Sequence, residues 1–100
     1  MATAIIDIGT IISRSPEIRG GRPRIAGTGV TVQRIVELFK LGLNPDEIVS
    51  EFGHLSYAQV YAALAYYHAN WEEIEAAIAE DNAAGDRAET EWYRLRRAAE

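Results

Sequence analysis

The residues best suited to chemistry in this sequence are arginines. Arg14, Arg19, Arg22 and Arg24 fall close together, and Arg34 and Lys40 follow. A guanidinium is permanently charged and carries its donors in a planar fork that fits a phosphate. Clustered beside Pro16, Pro23 and the Gly20-Gly21 pair, such forks suit the gripping of a phosphate backbone. Other chemistries find little support. His54 and His68 are the only histidines and there is no cysteine, so neither has a partner at metal-ligand spacing. No serine stands in a pattern that implies a nucleophile and its base, and the tail acids read as a charged face rather than a placed pair. Gly27 and Gly29 could offer amides to a phosphate, but the rest of a dinucleotide fingerprint is missing. The chain is therefore expected to have no catalytic residues, no metal and no cofactor, and not to be an enzyme.

Charge is unevenly spread. From Met1 to Lys40 there are 6 basic and 3 acidic residues, a balance of 6 - 3 = +3; from Leu41 onward there are 4 and 12, a balance of 4 - 12 = -8. A basic front and an acidic back suggest two different partners. The 100 residues allow one domain with a small core. Ile5, Ile6 and Ile8 make an apolar cluster, but Asp7 interrupts it and no Lys or Arg precedes it, unlike a secretion signal. No run is long enough to span a membrane. With no cysteine to form disulfides, the expected location is cytoplasmic.

The elements that must position the arginines follow from local signals. Residues 1–15 are rich in β-branched side chains, Thr3, Ile5, Ile6, Ile8, Thr10, Ile11 and Ile12 among them, and predict one or two short strands. With little sheet in the chain to receive them, pairing across a dimer axis is expected. Arg24-Ile25 and Val30-Thr31-Val32 read as two more short strands joined through Ala26 to Gly29. A first helix starts at the N-cap Thr31, with Val32, Ile35, Val36 and Phe39 on its apolar face, and ends at Gly42. A second, of about two turns, has Asn44 as cap, Pro45 at its first position and Asp46 and Glu47 in its first turn. A third opens with the capping box Ser56/Gln59, and Leu55 before the cap can staple to Val60. Its faces are Val60, Leu64, Tyr67 and, alongside, Tyr57, Tyr61, Ala65.

Short helix, tight turn and longer helix form a helix-turn-helix unit. Its third helix, from Tyr57 to Asn70, contains no Lys or Arg. A recognition helix ordinarily brings such groups to DNA. Contact with DNA is therefore placed on the arginine loop and the start of the first helix, with Tyr57 and Gln59 as the polar candidates of the third. Beyond Asn70 a further apolar stripe of Trp71, Ile74, Ala77 and Ile78 reads as a fourth helix or as the third continuing past a bend. Residues 82–86, with Gly85, interrupt it. Ala88, Trp92, Leu95 and Ala99 resume helical spacing, with Arg94, Arg96 and Arg97 near the end. From Trp71 to Glu91 there are 8 acids and one arginine. Such a tail fits either a helix docked on its own core or a segment anchored in a partner by Trp92 and Leu95.

The run Pro16-Glu17-Ile18-Arg19-Gly20-Gly21-Arg22-Pro23-Arg24-Ile25-Ala26-Gly27-Thr28, followed by Val30 and Val32, resembles the bacterial family called domain of unknown function 433. So do Leu41-Gly42-Leu43-Asn44-Pro45-Asp46-Glu47-Ile48, Leu55-Ser56 and Ala62-Ala63-Leu64-Ala65-Tyr66. The resemblance covers about Ile11 to Asn70. Small members of that family resemble VapB-type antitoxins. The resemblance implies a dimer with short N-terminal strands and a helix-turn-helix core. It also implies an antitoxin that binds a PIN-type ribonuclease encoded next door and represses the shared operon. Gly29 departs from the family, which usually has arginine after the Gly-Thr pair, and this shifts the expected DNA contact to Arg22 and Arg24.

The reading is thus a mainly α protein in three parts: N-terminal strands and basic loop over residues 1–31, a three-helix helix-turn-helix core over 32–70, and an acidic helical extension over 71–100. Candidate DNA contacts are Arg19, Arg22, Arg24, Thr28, Arg34, Tyr57 and Gln59. Candidate contacts to a PIN-type toxin are Trp71, Ile74, Ile78, Trp92 and Leu95, an acidic segment being suited to the basic surface on which a nuclease holds RNA. Expected partners are that toxin, operator DNA and a second copy in a homodimer, with no membrane. The rival readings are a protein-interaction module that never touches DNA and a stand-alone helix-turn-helix regulator.

Overall fold

The structure, a computed structural model, describes residues 4–99. Thr3 at one end, and Glu100 and the side chain of Ala99 at the other, lie outside the described residues. Two short strands, β1 (Ile12–Ser13) and β2 (Arg24–Ile25), are followed by four helices: α1 (Val32–Lys40), α2 (Pro45–Phe52), α3 (Tyr57–Ala69) and α4 (Trp71–Ala99). β1 and β2 pair antiparallel within the chain, Ile12 opposite Ile25 and Ser13 opposite Arg24. The Val30-Thr31 segment adds to the other edge of β2, through an Arg24–Thr31 bridge and an Ile25 N–H to Val30 carbonyl bond of 2.9 Å. β1 therefore finds its partner inside the same chain, in the strand pair read across Ala26 to Gly29.

Each of the first three helices begins where its cap residue stands. The Thr31 hydroxyl accepts the Arg34 N–H, and the Asn44–Glu47 and Ser56–Gln59 pairs each close both bonds of a capping box. Gly53 ends α2 at φ +72° and Gly42 follows α1 at φ +103°, left-handed positions that suit glycine. α1 packs on α3 and α2, and around it lies one core: Ile25 from β2, Val32, Ile35, Val36 and Leu38 from α1, Ile48 from α2, Leu55 before α3, Val60, Ala63 and Leu64 from α3, and Ile74 from α4. Leu38 takes the core place assigned to Phe39, whose ring is 42 % exposed. This is the three-helix helix-turn-helix core with short N-terminal strands and a helical extension.

α4 is a separate helix. Asn70 breaks the path at φ -136°, ψ 41°, and its carbonyl then accepts the N–H groups of Glu73 and Ile74. The break expected over residues 82–86 is absent, and the helix runs through Gly85 for 29 residues. A lone glycine costs a helix only about 1 kcal/mol relative to alanine, and Ala83, Ala84 and Ala88 around it are the strongest helix formers. Ile74 is fully buried and Ile78 packs at the core's edge. From Asn82 to Ala98 every side chain is exposed. α4 thus has a docked half and a free half, and the molecule measures 71 × 29 × 22 Å. No helix among the described residues is long and apolar enough to cross a membrane.

Candidate functional site

The loop between β1 and β2 displays its arginines through an unusual backbone. Arg19, Gly20 and Gly21 have φ of +51°, +65° and +79° in succession. The glycines adopt this left-handed path freely; Arg19 does so at a steric cost. Its side chain returns across the loop, where Nε donates to the Gly29 carbonyl at 3.0 Å. A Cβ built on Gly29 would stand 3.4 Å from the Arg19 guanidinium, an ordinary contact. Arg19 and Arg22 then face Arg34, at the start of α1, across a cleft of about 530 Å³ that also reaches Gln33, Glu37, Phe52 and Asp81.

Asp81 enters this cleft from α4. Arg22 Nη1 and Nη2 donate to its two carboxylate oxygens at 2.7 and 2.8 Å. The Gln33 amide donates to the same carboxylate at 2.6 Å and accepts from Arg22 at 2.8 Å. Gln33 is only 5 % exposed, so its orientation is fixed by packing. The Arg22 bonds first, and the Gln33 bond second, hold the Asp81 carboxyl far below the usual carboxylate range.

Two further clamps hold the docked half of α4. Glu73 pairs with Arg14 and accepts the Tyr66 hydroxyl at 2.8 Å. Glu75 pairs with Lys40 and accepts the Tyr67 hydroxyl at 2.5 Å. Both carboxyls are held below their ordinary value, by Arg14 then Tyr66 and by Lys40 then Tyr67. The basic front and acidic back, which suggest two different partners, are here paired with each other.

The candidate DNA contacts separate accordingly. Arg34 is exposed, with only a loose 3.9 Å contact to Glu37, and Arg19 borders the open cleft. Arg22 faces the cleft but is engaged by Asp81. Arg24 does not belong to the site. It is buried at 9 % exposure and bonds the Thr28 carbonyl at 3.0 Å and the Ser15 hydroxyl at 3.3 Å, holding the Gly27-containing turn shut from within. Thr28 stabilises the same turn, its hydroxyl donating to the Ile25 carbonyl and accepting the Val30 N–H. The Gln59 side chain is used by its capping box. Tyr57 is exposed, and the nearby Asp46 carboxylate pushes the pKa of its hydroxyl up.

The partner contacts divide in the same way. Ile74 is a core residue with no surface left for a partner, and Ile78 is half-buried against the core, because the first turns of α4 close the α1–α3 surface. Trp71, Trp92 and Leu95 are 55 %, 53 % and 57 % exposed, as is the neighbouring Tyr93 at 53 %. Gln33 and Asp81 are the site residues that sequence reasoning missed. A signal for Asp81 exists: it is the one acid on the seam Trp71, Ile74, Ile78, Asp81, Gly85, Ala88, Trp92, Leu95, whose three- and four-residue spacing is otherwise apolar or small. No group of three or more His, Asp or Glu side chains that could hold a metal ion is present among the described residues.

Fold and site together define a small helix-turn-helix body with an arginine cleft and a long helical extension. The family described as a protein of unknown function, DUF433, matches residues 12–67. A crystal structure of a DUF433 member protein from Anabaena variabilis is similar to this chain with a TM-score of 0.67 and 30 % identity, over 70 % of this chain and 69 % of that one. No curated protein matches. This chain belongs to the DUF433 family.

Proposed function

We propose that this chain is the antitoxin of a type II toxin–antitoxin pair. It covers a PIN-type ribonuclease with the free half of α4 and represses its own operon through the arginine cleft, as a homodimer in the cytoplasm. The observation that carries this reading is the free half itself. α4 leaves the core after Asp81 and carries Trp92 and Leu95 on one exposed stripe, among the acids Asp86, Glu89 and Glu91 and the arginines Arg87, Arg94, Arg96 and Arg97. Aromatic and leucine anchors on a helix face are the means by which an amphipathic helix fills a groove. Arg19 and Arg34, exposed at the cleft, would meet operator phosphates, with Arg22 beside them. The pairing with a nuclease rests on the VapB-like character of small DUF433 members that the sequence resemblance implies.

The test is an RNA-cleavage assay with the nuclease encoded by the neighbouring gene. Added chain should suppress cleavage at near-equimolar amounts, and Trp92→Ala/Leu95→Ala should suppress it at least tenfold less well. Undiminished cleavage at excess chain would end the antitoxin reading.

A second reading, a protein-interaction module that leaves DNA alone, is favoured by the α3 surface. Tyr57, Tyr61, Ala65 and His68 are exposed there without a single Lys or Arg. The two readings part on salt: phosphate contacts make affinity for duplex DNA fall steeply between low and physiological salt, and an interaction module shows no such binding.

A further inference from the structure

Asp81 fills the fork of Arg22. Its two oxygens receive a parallel pair of bonds from the Arg22 fork, and a third donor, the Gln33 amide, closes on one of them. That is the geometry with which arginine holds two oxygens of a phosphate. Gln33 is buried, its amide oxygen accepts from Arg22 at 2.8 Å and its amide nitrogen also donates to Glu37 at 3.1 Å, so each donor has a partner besides Asp81. Arg19 and Arg34 border the same cleft and supply further positive charge, against the one carboxylate of Glu37, which accepts from Gln33 at 3.1 Å and lies 3.9 Å from Arg34.

We infer that Asp81 is the intramolecular occupant of a phosphate site formed by Arg22 and Gln33, so that α4 closes the cleft to nucleic acid until a backbone phosphate displaces it. The inference rests on the DNA reading above and adds its regulation. Displacement is feasible because Asp81 is the last residue of α4 tied to the body; every side chain from Asn82 to Ala98 is exposed. Releasing it leaves Ile74 in the core and the Glu73 and Glu75 clamps intact. Arg22 and Asp81 are one-third and nearly half exposed, and ion pairs in such positions are weak enough to exchange for a phosphate.

The experiment measures binding of a fluorescent mixed-sequence DNA duplex to the full-length chain by anisotropy, at several salt concentrations. Asp81→Asn keeps the shape and an acceptor for Arg22 but removes the charge. It should bind about tenfold tighter than the wild type, with a salt slope steeper by about 0.9, one added phosphate contact. Glu91→Gln removes the same charge from the free half and should gain far less. Arg22→Ala/Asp81→Asn should lose the gain. Circular dichroism establishes that each variant is folded; if Asp81→Asn unfolds, Asp81→Ser is compared with Glu91→Ser in its place. Salt-dependent wild-type binding that Asp81→Asn leaves unchanged, or that Glu91→Gln raises equally, would overturn the inference and leave the DNA reading standing. Absence of salt-dependent binding in every variant would overturn both.

Discussion

At the scale of the residue, the arginines of one loop have different tasks. Arg24 and Arg34 make the contrast sharpest. Arg24 is enclosed, with charge-assisted bonds to a carbonyl and a hydroxyl and with a buried Nε that has no partner among the described residues. Arg24→Ala should destabilise the fold by about 1–3 kcal/mol in urea titration, the range for losing hydrogen bonds to a buried charge. Arg34→Ala, at an exposed position, should cost less than about 0.5 kcal/mol in the same titration and, on the proposed DNA reading, weaken duplex binding. Sequence type could not separate them. An arginine in a glycine- and proline-rich loop reads as solvated, and what buries Arg24 is a hairpin turn folding over it. Thr28 and the Gln59 amide oxygen are engaged in the same local way, by backbone groups two or three residues away.

At the scale of the element, helix starts were legible because caps are local. Thr31, Asn44 and Ser56 each stand beside the backbone groups they bind, and the sequence carries all the required information. The course of α4 was less legible. Gly85 suggested a break, yet nothing lies within 4 Å of a Cβ built there and the helix continues. Gly85→Ala should therefore raise helicity at 222 nm and stabilise α4 by about 0.5–1 kcal/mol. Gly53→Ala, at φ +72° in the α2 C-cap, should instead cost about 1 kcal/mol. The docking of α4 should also depend on pH. Glu73, Glu75 and Asp81 titrate lower in the folded chain than free carboxylates, held by Arg14 and Tyr66, by Lys40 and Tyr67, and by Arg22 and Gln33. Their stabilisation is fully present above the ordinary carboxylate range, about pH 4, and is lost as pH falls through the lower folded values. The Lys40 ammonium is raised by Glu75 and adds stability below its ordinary range, about pH 10.4, that is lost above it. Thermal melting from pH 7 down to pH 3 should show a falling midpoint, and Glu73→Gln/Glu75→Gln should flatten that fall.

At the scale of the whole molecule, the positive and negative halves of the chain fold onto each other, and only part of each remains for a partner. The three parts read from the sequence share one core, because Ile74 of the extension closes it. The decisive contact, Arg22 with Asp81, joins residues 59 positions apart. No window of sequence holds such a pair, although an acid on an apolar seam marks one member. What leaves the body is the free half of α4. Its deletion, residues 82–100, should leave the body folded, since the core side chains all precede it.

Co-expression of the full chain with the product of the neighbouring gene, followed by light-scattering mass, tests the central claim most directly. A complex that survives purification with the full chain, and is lost with Trp92→Ala/Leu95→Ala, is the expected result. A chain that elutes alone, or a complex indifferent to both substitutions, would contradict the assignment of partner binding to the free half of α4.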